Sequence, residues 1–236
     1  MKKLFEKYET WFCMGMIALY VVTNSFCMQN FGLEDHRTAL VNTVFSVGLV
    51  LLVIALRGTV YYGLTGVKNA KRFLFFIPLV LIVSVNLWNG IHLNRTPGQI
   101  FFYVLSMLNV GLIEELVFRG FLFRMMAKDH LRLAVAVSSL TFGIGHIVNL
   151  LNGAELLPTL FQVCYATAIG YLFVVIFLKS GSLIPCILAH SVNNALSVFH
   201  EENAFTRYAV PVFLTVVPIL YALYLQKNVP DERSAL

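Results

Sequence analysis

The chain has 236 residues, of which 58% are hydrophobic and only 12% charged. A mean hydropathy of +0.78, beside the roughly one quarter of charged residues usual in globular domains, excludes a sizeable water-soluble domain. It predicts an all-α, polytopic integral membrane protein. The net charge of +5 is met by the anionic inner leaflet of a membrane, so no nucleic-acid partner is implied.

The basic opening, "MKKLFEKYETWF", precedes an apolar stretch longer than a signal-peptide core and reads as a signal anchor. Apolar runs then predict eight transmembrane helices, at 10–31, 38–56, 71–90, 99–126, 131–150, 156–178, 182–200 and 208–226. Each approaches the ~20 residues that a bilayer core requires. Short polar turns separate them, among them "GLEDHRT", "RGTVYYGLTGVKNAKR", "GIHLNRTPG" and "HEENAFTR". No repeat or linker divides the chain, so 1–236 reads as a single membrane-embedded domain. Cys13, Cys27, Cys164 and Cys186 lie in apolar context without a C-x-x-C pair and read as small buried hydrophobes.

Basic residues orient the spans. With the N-terminus inside, the inner segments collect Lys2, Lys3, Lys7, Arg57, Lys68, Lys71, Arg72, Arg124, Lys128, Arg132, Lys179, Lys227 and Arg233. The outer loops collect Arg37, Arg95 and Arg207. This asymmetry follows the positive-inside rule and puts both termini in the cytoplasm. The one remaining basic residue is Arg119. Of the acids, only Glu114 and Glu115 lie deep in a span, and of the histidines only His146 and His190.

A charge at the centre of a span costs on the order of 2.5–3.5 kcal/mol and marks a polar interior or a function. Glu115 and Arg119 stand i,i+4, so one helix face pairs them and a scaffold role explains them. Glu114 points about 100° away and has no partner on its own helix. Two later stripes offer partners: Ser139, Phe142, Gly143, His146 and Asn149 in one span, and Cys186, His190, Asn193 or Asn194, and Ser197 in another. Counted at about 1.5 Å per residue from the inner ends, Glu114 lies roughly 15 Å deep, His146 roughly 21 Å, His190 roughly 12 Å and Asn194 roughly 18 Å. One layer, and a cavity reached from the cytoplasmic side, are expected.

Two hydrolytic schemes are open to these residues. In the first, Glu114 is a general base that activates water together with His146, while His190 and Asn194 donate to the oxyanion. In the second, Glu114, His146 and His190 ligate Zn²⁺ with one position open for water. The second lacks an H-E-x-x-H pair, and its spare acid, Glu115, is claimed by Arg119; glutamate-based hydrolysis is the preferred scheme.

"EELVFR" (114–119), "FGIGH" (142–146) and "HSVNN" (190–194) read as E-E-x-x-x-R, F-x-x-x-H and H-x-x-x-N. Each motif is weak alone; together, ordered and on separate spans, they resemble the CAAX-protease and bacteriocin-processing family of intramembrane endopeptidases, also called Abi or CPBP. The resemblance covers about 99–200, the motif-bearing core. It implies an eight-helix fold that cleaves peptide bonds near the membrane. It also implies water activation by Glu114 and His146, and oxyanion stabilisation by His190 and Asn194, with Glu115 and Arg119 completing the first motif. The family carries a metalloprotease label, which keeps Zn²⁺ as the alternative cofactor.

The compact form looks more like bacterial members, placing the chain in a plasma membrane rather than the endoplasmic reticulum. The partners expected are membrane lipids and a membrane-associated peptide or protein substrate, prenylated or leader-bearing. A non-proteolytic immunity or regulatory scaffold is the alternative function. Proton-coupled transport is the third, opposed by the absence of paired, broken helices.

Overall fold

The computed structural model describes residues 2–68 and 70–232. Arg233, and the side chains of Lys2 and Lys71, lie outside the described residues. Among the described residues the regular structure is helical throughout, because apolar backbone in lipid must satisfy its N–H and C=O groups within its own segment. Six helices are long and apolar enough to cross a membrane: α1 (Glu9–Asn30), α2 (His36–Ala55), α4 (Pro97–Ala127), α5 (Leu131–Leu151), α6 (Leu156–Ser180) and α8 (Thr206–Asn228). Two shorter apolar helices, α3 (Arg72–Leu87) and α7 (Ile184–Phe199), fill the other two expected places. Each of these two departs from a full span for a local reason. α3 tightens into 3-10 turns on both sides of Ile77–Ser84, beside Pro78. α7 starts on Pro185 and ends in a 3-10 turn, Ser197–Phe199.

Caps fix the ends. Asp35 accepts the Arg37 N–H at 2.8 Å and begins α2, a residue type favoured there because its oxygen satisfies an orphan donor. Thr96 and Gln99 form a capping box at the start of α4, with Pro97 in the first turn. Gly181, at φ 68°, closes α6 in the left-handed conformation.

α4 is the central helix, packed on α2, α5, α6 and α7, while α8 lies along α6. Two close approaches set the spacing. A Cβ at Gly111 would stand 2.6 Å from the Ser191 backbone, and one at Gly143 2.7 Å from the Val163 carbonyl oxygen, so only glycine lets α4 meet α7 and α5 meet α6. The outer surface is apolar, as in Leu40, Val44 and Leu51 on α2 or Val212, Val216 and Leu220 on α8. The polar side chains lie inside, where Asn42 donates to Ser106 at 2.7 Å and Asn109 to Thr43 at 3.1 Å. This inversion is that of a multi-pass membrane protein. Cys13, Cys27 and Cys186 are buried, as expected; Cys164 is exposed instead, on the outward side of α6.

The bundle has two unlike ends. At one, the loops after α1, α3, α5 and α7 are laced together: Arg95 pairs with Glu34, His92 with Glu201, and Arg207 with Glu155 at 3.2 Å. Asn89 donates to the Glu201 carbonyl at 2.6 Å, and Gln29 to Asn152 at 2.9 Å. At the other end, which carries the described chain termini, residues 57–68 do not form the solvated turn their composition suggests. They fold in under α7, where the Gly63 carbonyl accepts the Leu183 N–H at 2.8 Å and Ser182 donates to the Thr65 carbonyl. Tyr62, Phe121, Phe123, Phe177 and Leu183 form one buried apolar floor there.

Candidate active site

Near Glu115 the backbone of α4 changes character. Over Leu116–Phe123 it winds as a π-helix, a form that occurs mostly as short bulges and often at functional sites. Every residue of this stretch is buried. The Ser138 hydroxyl of α5 donates to the Phe118 carbonyl at 2.9 Å, which supplies a partner within the altered ladder.

The two adjacent glutamates meet different surroundings. The Glu115 side chain is 0% exposed, and its Oε1 accepts from Arg119 Nη1 at 3.1 Å. The guanidinium lies 4.1 Å from the centre of the Phe142 ring and 5.6 Å from that of Phe173, so it is held by π faces as well as by the carboxylate. The expected i,i+4 pair is thus formed in the geometry. Arg119 is not its only partner: His190 Nδ1 lies 2.8 Å from the same Oε1.

Glu114 instead reaches a cavity, at 13% side-chain exposure. Its Oε1 accepts from the Tyr20 hydroxyl at 2.6 Å, and its Oε2 lies 3.5 Å from His190 Nε2. The His190 imidazole therefore bridges the two acids across helices α4 and α7. Its Nδ1 faces the sealed acid and its Nε2 the one at the cavity.

His146 ends the regular part of α5 and packs edge-on against Phe142, with ring centres 5.5 Å apart. It lines the same cavity as Glu114, about 410 Å³ in volume, and so does Asn194. A smaller cavity of about 70 Å³, between α1 and α5, also touches Glu114 and His146. The structure thus brings Glu114, His146 and Asn194 to one space, while His190 does not line it and stands behind, against Glu114 and Glu115. The two stripes divide in the same way. Ser139, Phe142 and Gly143 pack inward against Arg119 and α6, and Cys186 donates to the Phe173 carbonyl at 3.5 Å. Asn193 is tied to Asn86 of α3 at 3.1 Å. Only His146 and Asn149 from the first stripe, and Asn193, Asn194 and Ser197 from the second, reach the large cavity.

The donor set does not fit a metal. Among the described residues, no three His, Cys, Asp or Glu side chains are grouped as ligands. Zinc held by Glu114, His146 and His190 is not the arrangement found.

The side of entry also differs from expectation. The cavity is lined by Leu33, His200, Glu202 and Arg207, which belong to the laced loops away from the termini. Depth counted along straight helices points to the opposite end. Such a count misses residues 57–68, whose inward fold helps to build the apolar floor on the terminus side.

Tyr20 is the residue that sequence reasoning missed. It lies 94 positions from Glu114 and belongs to no motif; its only signal is a phenol at mid-span, where a hydroxyl needs a partner. Residues 94–196 match the family model described as type II CAAX prenyl endopeptidase Rce1-like. The matched segment holds Glu114, Glu115, Arg119, His146, His190 and Asn194 and leaves out Tyr20. The comparisons with curated proteins and with solved structures returned no match.

Proposed function

We propose, from the match of residues 94–196 to the type II CAAX prenyl endopeptidase family and from the Glu114 cavity, that this intramembrane endopeptidase uses Glu114 as its general base. The observation that carries the reading is a carboxylate fixed by the Tyr20 hydroxyl, with His190 Nε2 3.5 Å from its other oxygen, and facing a space shared with His146 and Asn194. A carboxylate so fixed is oriented before substrate arrives, which is the condition for efficient proton transfer.

In the proposed reaction, Glu114 takes a proton from a water that His146 helps to hold. The water oxygen attacks the peptide carbonyl carbon, and the carbonyl π electrons move to oxygen. His190 Nε2–H and the Asn194 amide stabilise that oxyanion. Collapse re-forms the carbonyl and breaks the C–N bond; the proton on Glu114 goes to the departing amine, leaving a carboxylic acid and an amine. Glu115 and Arg119 hold the His190 ring through its Nδ1. A bacterial plasma membrane is the proposed location.

A double-mutant cycle on purified protein tests the pairing. Glu114→Gln and His146→Ala are each expected to lower kcat by about 10²–10⁴, and the double variant to fall little further, because both serve one proton transfer. Full additivity of the two losses in well-folded variants would separate His146 from water activation.

A further inference from the structure

Tyr20 stands outside every motif and outside the matched segment 94–196, yet its hydroxyl lies nearer to the Glu114 carboxylate than His190 does. Its part in the reaction rests on the reading of Glu114 as general base. Tyr20 belongs to the buried seam of α1, with Cys13, Met16 and Cys27 at helical spacing. The residue is 5% exposed, and its ring packs edge-on against Phe45 of α2 with centres 5.8 Å apart. A phenol has only two side-chain torsions, so a ring packed in this way fixes where the hydroxyl points.

Glu114 needs such a post. The positions one turn away on α4, Val110, Gly111, Val117 and Phe118, carry no polar group, so its own helix offers nothing to hold the carboxylate. The last torsion of a glutamate is broad, and the carboxylate turns freely about it unless another helix supplies an anchor. Tyr20 supplies one across 94 positions of chain. At 2.6 Å the contact falls in the range of a hydroxyl donating to an ionised carboxylate, about 2.5–2.7 Å.

That bond also limits what Tyr20 can do. A phenol has one O–H to give, and Glu114 Oε1 takes it, so the same hydrogen does not serve an oxyanion or a departing amine. Tyr20 therefore acts through Glu114. The two carboxylate oxygens become unlike: Oε1 is engaged, whereas Oε2 has only the 3.5 Å approach of His190 Nε2. Oε2 is the oxygen left to take the proton from water, while Tyr20 keeps its own.

We infer that Tyr20 is a positioning residue of the hydrolysis, which pins Glu114 Oε1 from α1, reserves Oε2 for the water, and makes α1 part of the catalytic apparatus.

The test compares para substituents of similar size in the full-length protein, purified in detergent and matched in unfolding temperature. Position 20 is filled with 4-aminophenylalanine, which keeps a donor, or with 4-methylphenylalanine, which keeps only the volume; Tyr20→Phe removes both. On one defined peptide, Tyr20→Phe and the methyl variant are expected to lose about 10–10² in kcat at unchanged KM. The amino variant is expected to recover part of that loss, a comparison that stands by itself if Tyr20→Phe does not fold. Equal kcat from the amino and methyl variants overturns the inference. A raised KM at unchanged kcat overturns it as well, because the phenol would then serve peptide binding.

Tyr20→Phe is next combined with Glu114→Gln. A role exercised through the carboxylate predicts that the double variant keeps the residual rate of Glu114→Gln alone. A further fall as large as that caused by Tyr20→Phe in the wild type marks a structural role and overturns the inference. Loss of kcat in Glu114→Gln beside wild-type kcat in folded Tyr20→Phe removes Tyr20 and leaves the base standing. Wild-type rates from folded Glu114→Gln remove the base itself, and this role with it.

Discussion

The two ends of the bundle hold the same helices by opposite means. At the floor, Tyr62, Phe121, Phe123, Phe177 and Leu183 fill the space between the helices and exclude water. At the mouth, loops are tied by ion pairs and amide hydrogen bonds around a cavity of about 410 Å³. Glu115 and Glu114 are the same difference in miniature: one is sealed against Arg119, and the other is turned to the opening. Adjacent carboxylates in one helix thereby meet different surroundings, the first against Arg119 and His190 and the second facing the cavity.

Variants can break that contrast, beginning with the sealed side. Arg119→Met leaves Glu115 and His190 buried without their cation, and is expected to cost about 3–5 kcal/mol of stability. Thermal unfolding in detergent reads this, and the double variant Glu115→Leu with Arg119→Met should recover part of the loss. Gly143→Val forces a side chain against the Val163 carbonyl and Thr167 and is expected to cost about 1–3 kcal/mol. Because α5 carries His146, a fall in kcat at unchanged peptide affinity should accompany it.

The open side is expected to be more tolerant. Removing the rim pair, about one third exposed on each side, with Arg95→Ala should cost about 0.2–1 kcal/mol and less at high salt. A null result there alongside a large Arg119 effect sharpens the contrast, whereas comparable losses would erase it. The smallest effect concerns Asp35. The side-chain and backbone N–H groups of Arg37 hold its carboxyl well below the usual carboxylate range. Its cap is therefore present above the ordinary carboxylate pKa and is lost as pH falls through the depressed value. Asp35→Ala should lower the unfolding temperature slightly near neutral pH, with the gap closing in strong acid.

The sequence was legible where contacts are local or periodic. The Glu115–Arg119 pair is one helical turn long, so spacing alone revealed it. Gly143 sits in a stripe of small and polar residues whose close packing composition already suggests. What spacing could not show was which distant element completes Glu114. Tyr20 comes from α1, and nothing in its neighbours marks it among other mid-span aromatics. Nor could depth along ideal helices show that 57–68 folds inward, or that α4 rewinds as a π-helix immediately after the two glutamates. α3 and α7 were found as apolar runs, but their frayed 3-10 ends made them shorter than the runs implied.

Everything in the proposed reaction depends on Glu114 being the base that activates water. The cleavage rate of one defined peptide by wild-type and Glu114→Gln protein of matched unfolding temperature tests this without intermediaries. A loss of about 10²–10⁴ in kcat is required if Glu114 is the base. Equal rates from the two folded proteins would contradict that role.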